Sequence, residues 1–101
     1  SEWRVHRSGV DVWVRLHAGR PDVVRVSAPL VTHIDESIEL LRELGQLNAA
    51  SLGLRYWWED GVVRVMADVR CTAMNTLVDV IDDVATAVNT YRPMLVAFAL
   101  A

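Results

Sequence analysis

The period of the hydrophobic residues changes several times along the chain, and these changes constrain the fold more than any other feature of the sequence. From Val10 to His17 every second residue is apolar, which is the period typical of a half-buried strand. The same alternation marks Trp3–His6 and Val23–Ala28. Because Ser8-Gly9 and Gly19–Asp22 are typical turn sequences, the first third of the chain predicts three strands joined by two turns.

After the third strand the period becomes helical. Thr32–Asp35 has the form of a capping box, in which a hydroxyl and a carboxylate satisfy free amides at the start of a helix. Apolar residues then recur at about 100° per residue as far as Leu47. The residues of this apolar face, which we expect in the core, are Ile34, Ile38, Leu40, Leu41, Leu44 and Leu47. A hairpin follows, with strands over Leu54–Trp58 and Val62–Val69 and a turn at Glu59–Gly61.

The clearest helix lies near the end of the chain. From Leu77 to Tyr91 the apolar residues fall on one half of a helical wheel and the polar residues on the other. We expect Pro93 to end or kink this helix, because its ring clashes with the preceding turn. The apolar segment Met94–Ala101 then folds back on the core, packs in a dimer, or leads into a longer natural chain. Ser1 in place of a start methionine also predicts a processed chain or a piece of a longer one.

These elements predict an α+β fold in the order βββ-α-ββ-α, with an antiparallel sheet of about five strands packed against two helices. Each helix is apolar on one side only, so both helices should cover the same face of the sheet. The opposite face is then left to solvent or to a partner. With 101 residues, 52% of them hydrophobic, we expect one domain over residues 1–101.

No catalytic, metal or cofactor signature is present in the sequence, and we predict a protein that is not an enzyme. The side chains that could be imagined as metal ligands are His6, His17, His33 and Cys71. No pair of them has a recognised ligand spacing, no serine lies in a nucleophile elbow, and the glycines are isolated. The net charge of −3 argues against a nucleic-acid partner. The longest apolar run is too short for a membrane span, and a single cysteine fits a reducing cytoplasm.

The sheet face away from the helices is the candidate binding surface. If the apolar residues of each strand point to the helices, arginines collect on the opposite face with two tryptophans and a methionine. Tryptophan and arginine dominate interface hot spots, and arginine binds carboxylates bidentately. We therefore predict that the partner-binding residues are Trp13, Arg15, Arg25, Arg55, Trp57, Arg64 and Met66. The other interpretation is a solvated face on which Asp11 and Asp68 pair with some of the arginines.

The order of elements resembles the YbjN and type III secretion chaperone-like superfamily. The resembling stretch runs from about Trp3 to Tyr91 and includes a three-stranded meander, Pro29, a helix running into Asn48, a hairpin and a last helix. This resemblance implies a non-enzymatic, usually dimeric, cytoplasmic domain that binds extended segments of partner proteins. Two departures are the absence of a helix before the first strand and the apolar tail after Pro93. No binding residue of the family maps onto this sequence by motif.

We therefore predict a chaperone-like or assembly module that forms a homodimer and binds a peptide or protein segment. An acidic segment is one of the candidate partners. The alternative is a small-ligand sensory or regulatory domain of a larger protein. That function would need a pocket between the helices and the sheet near Tyr56, Trp58 and Tyr91.

Overall fold

The computed structural model describes residues 2–70 and 74–100. Within that part of the chain, five strands and two helices follow one another in the predicted order. The strands are β1 (Glu2–Arg7), β2 (Val10–His17), β3 (Arg20–Val31), β4 (Arg55–Glu59) and β5 (Val62–Arg70), and the helices are α1 (Ile38–Ala50) and α2 (Met74–Ala99). Neighbouring strands pair antiparallel in the order β1-β2-β3-β5-β4. The predicted α+β fold is therefore confirmed.

The core lies between one face of the sheet and the two helices. Alternate strand residues point into it, and Val12, Val26 and Val65 are fully buried there. Helix α2 contributes Val84 and Val88 to the same cluster and packs across β2, β3 and β5, whereas α1 packs on β4. Both helices thus cover the same face, as their one-sided apolar character predicts. Neither α1 nor α2 lies over the other face of the sheet, and we call it the open face.

Helix α1 begins at Ile38 rather than at Ile34. Its N-cap is Ser37, whose Oγ accepts a hydrogen bond from the Leu40 amide at 3.1 Å. The capping box predicted at Thr32–Asp35 is therefore wrong, and the segment before Ser37 is not helical.

The segment before α1 is held by the β4–β5 hairpin instead. The Ile34 amide donates to the Gly61 carbonyl at 3.0 Å, and the Ile34 carbonyl accepts a hydrogen bond from Trp58 Nε1 at 2.7 Å. His33 lies in the left-handed region at φ 56°, which reverses the chain direction there. The Trp58 bond occupies the Ile34 carbonyl, which would accept the first hydrogen bond of a helix starting at Ile34.

Only part of the apolar face of α1 reaches the core. Its buried residues are Leu40, Leu44 and Leu47, whereas Ile38 is 66% exposed and Leu41 is 45% exposed. The prediction that Ile38 and Leu41 are core residues is wrong. The physical reason is that α1 packs over β4, the last strand of the sheet, so one flank of the helix has no strand beneath it.

The outer edge of β4 is closed by a side chain of α1. Asn48 Nδ2 donates to the Tyr56 carbonyl at 2.8 Å, and the Tyr56 amide donates to Asn48 Oδ1 at 2.7 Å. The side-chain amide thus makes the two hydrogen bonds that a further antiparallel strand would make to Tyr56. Asn48 therefore fastens α1 to the sheet and blocks one exposed edge.

Helix α2 continues through Pro93 to Ala99, so of the two predicted effects of Pro93, an end or a kink, the structure contradicts the end. A proline in a helix interior costs about 3 kcal/mol relative to alanine. Leu95 is fully buried, and the Arg92 side chain donates to the carbonyls of Leu30 (2.8 Å) and Pro29 (3.0 Å). Because these contacts offset the cost of Pro93, the apolar tail docks on the core as a continuation of the helix.

Candidate functional site

The strand register arranges the open face in rows. The central row crosses all five strands and consists of Arg4, Trp13, Ser27, Met66 and Arg55. The row on one side of it consists of Glu2, Arg15, Arg25 and Asp68. The row on the other side includes Pro29, Arg64 and Trp57. All of the candidate partner-binding residues therefore lie on one face, as the alternation of the strands predicts.

Two adjacent cavities lie on the open face, and the second extends to the β4 edge of the sheet, where Asn48 and Tyr56 line it. One has a volume of about 570 Å³, and Trp13, Arg15, Arg25, Trp57 and Arg64 are among its lining residues. We call this cavity the trench. The other cavity has a volume of about 520 Å³, shares Arg25 and Trp57 with the trench, and is lined further by Arg55 and Met66.

The shape of the trench follows from the sizes of its side chains. Ser27 and Pro29 are small residues of the central strand β3, and they form its floor. Trp13 on β2 stands on one side and Trp57 on β4 on the other. Ser27 and Pro29 were missed as site residues because neither is charged or aromatic, although the period of β3 already puts Ser27 on this face.

Carboxylates on the open face neutralise part of its positive charge. Arg25 binds Asp68 bidentately, with Nε and Nη2 at 2.9 and 3.2 Å from the two carboxylate oxygens. Arg55 Nη2 approaches the same carboxylate at 3.5 Å. The hydrogen bond from Arg25 holds the pKa of Asp68 below its usual range and raises that of Arg25. The interpretation in which Asp68 pairs with arginines is thus correct for these two.

The remaining carboxylates of this face have weaker or different partners. Glu2 Oε2 lies 3.8 Å from Arg15 Nη1, at the limit of an ion pair. Asp11 accepts a hydrogen bond from His6 at 2.9 Å, and this bond lowers the pKa of Asp11. Asp11 therefore pairs with a histidine and not with an arginine.

Both tryptophans of the trench are held by neighbouring side chains. Trp13 is 36% exposed, and the guanidinium carbon of Arg4 lies 6.0 Å from its ring centroid. Trp57 is half-buried, and its Nε1 donates to Glu59 Oε2 at 3.3 Å. Since the rings are already oriented, a ligand would lose little side-chain entropy in contacting them.

Met66 lies on the open face but is buried. Arg55 Nη2 is 3.9 Å from its sulfur and covers it. Met66 therefore supports the arginine above it, and a ligand reaches the thioether only if Arg55 moves.

A third cavity lies between the helices, where the small-ligand alternative expects a pocket. Its volume is about 280 Å³, and its lining includes Leu47, Tyr56 and Tyr91. The two tyrosine rings meet edge to face with centroids 5.8 Å apart, and burial raises the pKa of Tyr56 to about 12. Trp58 does not line this cavity, because its indole is turned to the Ile34 carbonyl.

The part of the chain that the structure describes contains no group of three His, Cys, Asp or Glu side chains placed to hold a metal ion. Cys71, which we considered as a ligand, lies outside the described residues. Neither α1 nor α2 is both long and apolar enough to cross a membrane.

Comparison with known proteins identifies the family. The family described as "T3SS (YopN, CesT) and YbjN peptide-binding chaperone 1" matches residues 2–99. The chain belongs to this family of peptide-binding chaperones. The resemblance of the sequence to the YbjN and type III secretion chaperones is therefore confirmed.

A solved structure supports the fold of this peptide-binding chaperone. A chain in the crystal structure of the ExsC–ExsE complex superposes with a TM-score of 0.74 over 94% of this chain and 76% of that chain. The sequence identity is 16%, so the similarity shows the fold alone. A search of curated proteins found no significant match.

Proposed function

We propose that this chaperone binds an extended segment of a partner protein in the trench, and that it acts without catalysis. The observation that carries the proposal is the pair of pre-oriented tryptophans, Trp13 and Trp57, on the two sides of a cavity of about 570 Å³. The chain belongs to a peptide-binding family, and this cavity lies on the face of the sheet that α1 and α2 leave uncovered.

The dimensions and chemistry of the trench suit a peptide. Successive side chains on one side of an extended segment lie about 6.6 Å apart, so the trench can take one or two of them. Indole walls offer large rigid contact areas, and the surrounding arginines and glutamates offer hydrogen bonds to a polar backbone. The cavity between the helices has about half this volume, which makes a small-ligand function the less supported alternative.

We expect the double variant Trp13→Ala/Trp57→Ala to weaken peptide binding by about tenfold or more, because two hot-spot anchors are lost. The probe is a peptide selected on the wild-type chain from a random-peptide library, and the measurement is its dissociation constant by fluorescence anisotropy. The thermal midpoint should change by only a few degrees, since neither ring is a core residue.

The matched control is Trp3→Ala. Trp3 is 52% exposed, but it lies on β1 with Val5 and therefore faces the helix side of the sheet. This variant should bind the selected peptide as the wild type does. Unchanged binding by the double variant, or equal loss in the control, would contradict the assignment of the open face. Unfolding of the double variant would show that the two rings are core residues.

We also propose that the chain forms a homodimer through the uncovered flank of α1. Ile38, Leu41 and Gly45 follow one another at helical spacing along this flank, and the first two are exposed apolar residues. A side chain added at Gly45 would meet no atom within 4 Å, so the space beside this part of the flank is open. Neighbouring exposed apolar side chains that form one patch mark interfaces more often than scattered ones do.

The variant Ile38→Glu/Leu41→Glu should be a monomer in sedimentation equilibrium, whereas the wild type should be a dimer, because charges cannot be buried unpaired in an interface. Leu52→Glu places the same charge at another exposed leucine and should leave the dimer intact. A wild-type monomer, or a dimeric double variant, would refute this interface.

We further propose a cytoplasmic location, which a single cysteine fits, and one domain over residues 1–101.

A further inference from the structure

Arg64 differs from the other arginines that line the trench. Arg25 is paired with Asp68, and Arg15 lies beside Glu2. Arg64 has no carboxylate partner and no hydrogen bond among the described residues. Of these three cations, it is the one whose charge is left for a ligand.

The surroundings of Arg64 favour the binding of a carboxylate. In the sheet register it lies between Pro29 on β3 and Trp57 on β4, and its side chain is half-buried. A half-buried guanidinium has lost part of its hydration, and no carboxylate among the described residues lies within 4 Å of Arg64 in return. Glu59 lines the same cavity, and its carboxylate accepts the hydrogen bond of Trp57 Nε1. An incoming carboxylate can bind the planar fork of Arg64 without displacing an existing ion pair.

The floor of the trench places a second condition on the sequence of the bound segment. Ser27 is one row along the sheet from Arg64, and its small side chain leaves room between Trp13 and Met66. One row corresponds to two residues of an extended chain, or about 6.6 Å. A ligand running along the strands therefore presents one side chain to Arg64 and, two positions away, another side chain to Ser27 and the Trp13 ring.

We propose that the trench selects partner segments in which an aspartate or glutamate lies two positions from an apolar residue. The carboxylate binds Arg64, and the apolar side chain packs on Ser27 against Trp13. This inference rests on the proposed function, because it specifies the sequence of the segment that the trench binds. The recognition is local, because one arginine without a carboxylate partner can bind a carboxylate although the chain as a whole has a net charge of −3.

The test is selection from a random-peptide library on three versions of the chain. The wild type should enrich peptides with the acidic and apolar residues two positions apart. Arg64→Glu should lose that acidic preference and enrich lysine or arginine at the same position. Arg70→Glu is the matched control, because Arg70 lies on the same strand and face but outside the trench lining, and it should keep the wild-type preference.

A second measurement uses one enriched peptide and its version with asparagine or glutamine in place of the acid. The wild type should bind the acidic form about tenfold more tightly, and Arg64→Gln should bind both forms equally. This milder variant also covers the case in which Arg64→Glu does not fold.

The possible failures can be told apart. Enriched peptides without an acidic preference, or a preference that survives in both Arg64 variants, overturn this inference and leave the proposed function intact. If the wild type enriches no peptide, or if Trp13→Ala/Trp57→Ala binds the enriched peptides normally, the proposed function falls and the inference falls with it.

Discussion

Leu95→Ala is expected to lower the free energy of unfolding by about 3 kcal/mol. Leu95 is fully buried although it lies two residues beyond Pro93, in the apolar tail of the chain. Truncating a buried leucine removes its transfer free energy and leaves a cavity, and such changes cost about 2 to 5 kcal/mol. For a domain of this size the melting temperature should fall by more than about 10 °C, measured by circular dichroism.

The chain offers a matched control for this change. Leu100 lies just beyond the end of α2 and is exposed, so Leu100→Ala should change the free energy of unfolding by less than about 0.5 kcal/mol. Equal small effects of the two substitutions would show that the last turns of α2 are not docked on the core. The pair thus tests whether the tail is a structural part of the chaperone, independently of any binding function.

Asn48→Ala is expected to lower the free energy of unfolding by about 1.5 kcal/mol. The substitution removes both hydrogen bonds to the backbone of Tyr56, each worth about 1 kcal/mol. Helix propensity predicts the opposite sign, because alanine is a better helix former than asparagine by about 0.5 kcal/mol. Urea denaturation therefore distinguishes the two effects. A lower free energy of unfolding means that the lost hydrogen bonds dominate, and a higher one means that helix propensity dominates.

The same substitution should also alter association. Without Asn48 the amide and carbonyl of Tyr56 are free on an edge strand, which favours pairing with other chains. We expect concentration-dependent species larger than those of the wild type in sedimentation velocity. Asn89→Ala is the control, because the Asn89 side chain makes a single exposed bond to the Ser8 carbonyl. A stabilised Asn48 variant with wild-type association would show that the edge is not closed by this side chain.

The strands and their faces were predictable because a strand has a strict period of two. Val12 and Trp13 lie on opposite faces whatever the rest of the chain does, and the same holds for Tyr56 and Trp57. The sequence could therefore assign Trp13, Trp57 and the arginines to one face before the order of the strands was known. The burial of Met66 could not be predicted in this way. The period of β5 places Met66 on the open face, but it does not indicate that Arg55 covers the sulfur.

The helices were less predictable because an apolar residue on a helix can point into the core or lie on the flank of the helix, outside the core. Ile38 and Leu41 belong to the same broad apolar face as Leu40 and Leu44, but α1 lies at the edge of the sheet and its flank is uncovered. The end of α2 could not be predicted either, because the contacts that keep Pro93 inside the helix come from Leu30 and Pro29, far away in the chain.

The sequence by itself determined the order of the elements, the face on which each strand residue lies, and the collection of arginine and tryptophan on the open face. These follow from local backbone geometry, which each segment carries on its own. Only the tertiary structure decided which of those arginines is left without a carboxylate partner and can bind the carboxylate of a ligand. Asp68 reaches Arg25 across β3 and β5, whereas Arg64 finds no such partner in the described part of the chain. Ion pairing depends on which distant strands become neighbours, and no local pattern contains that information.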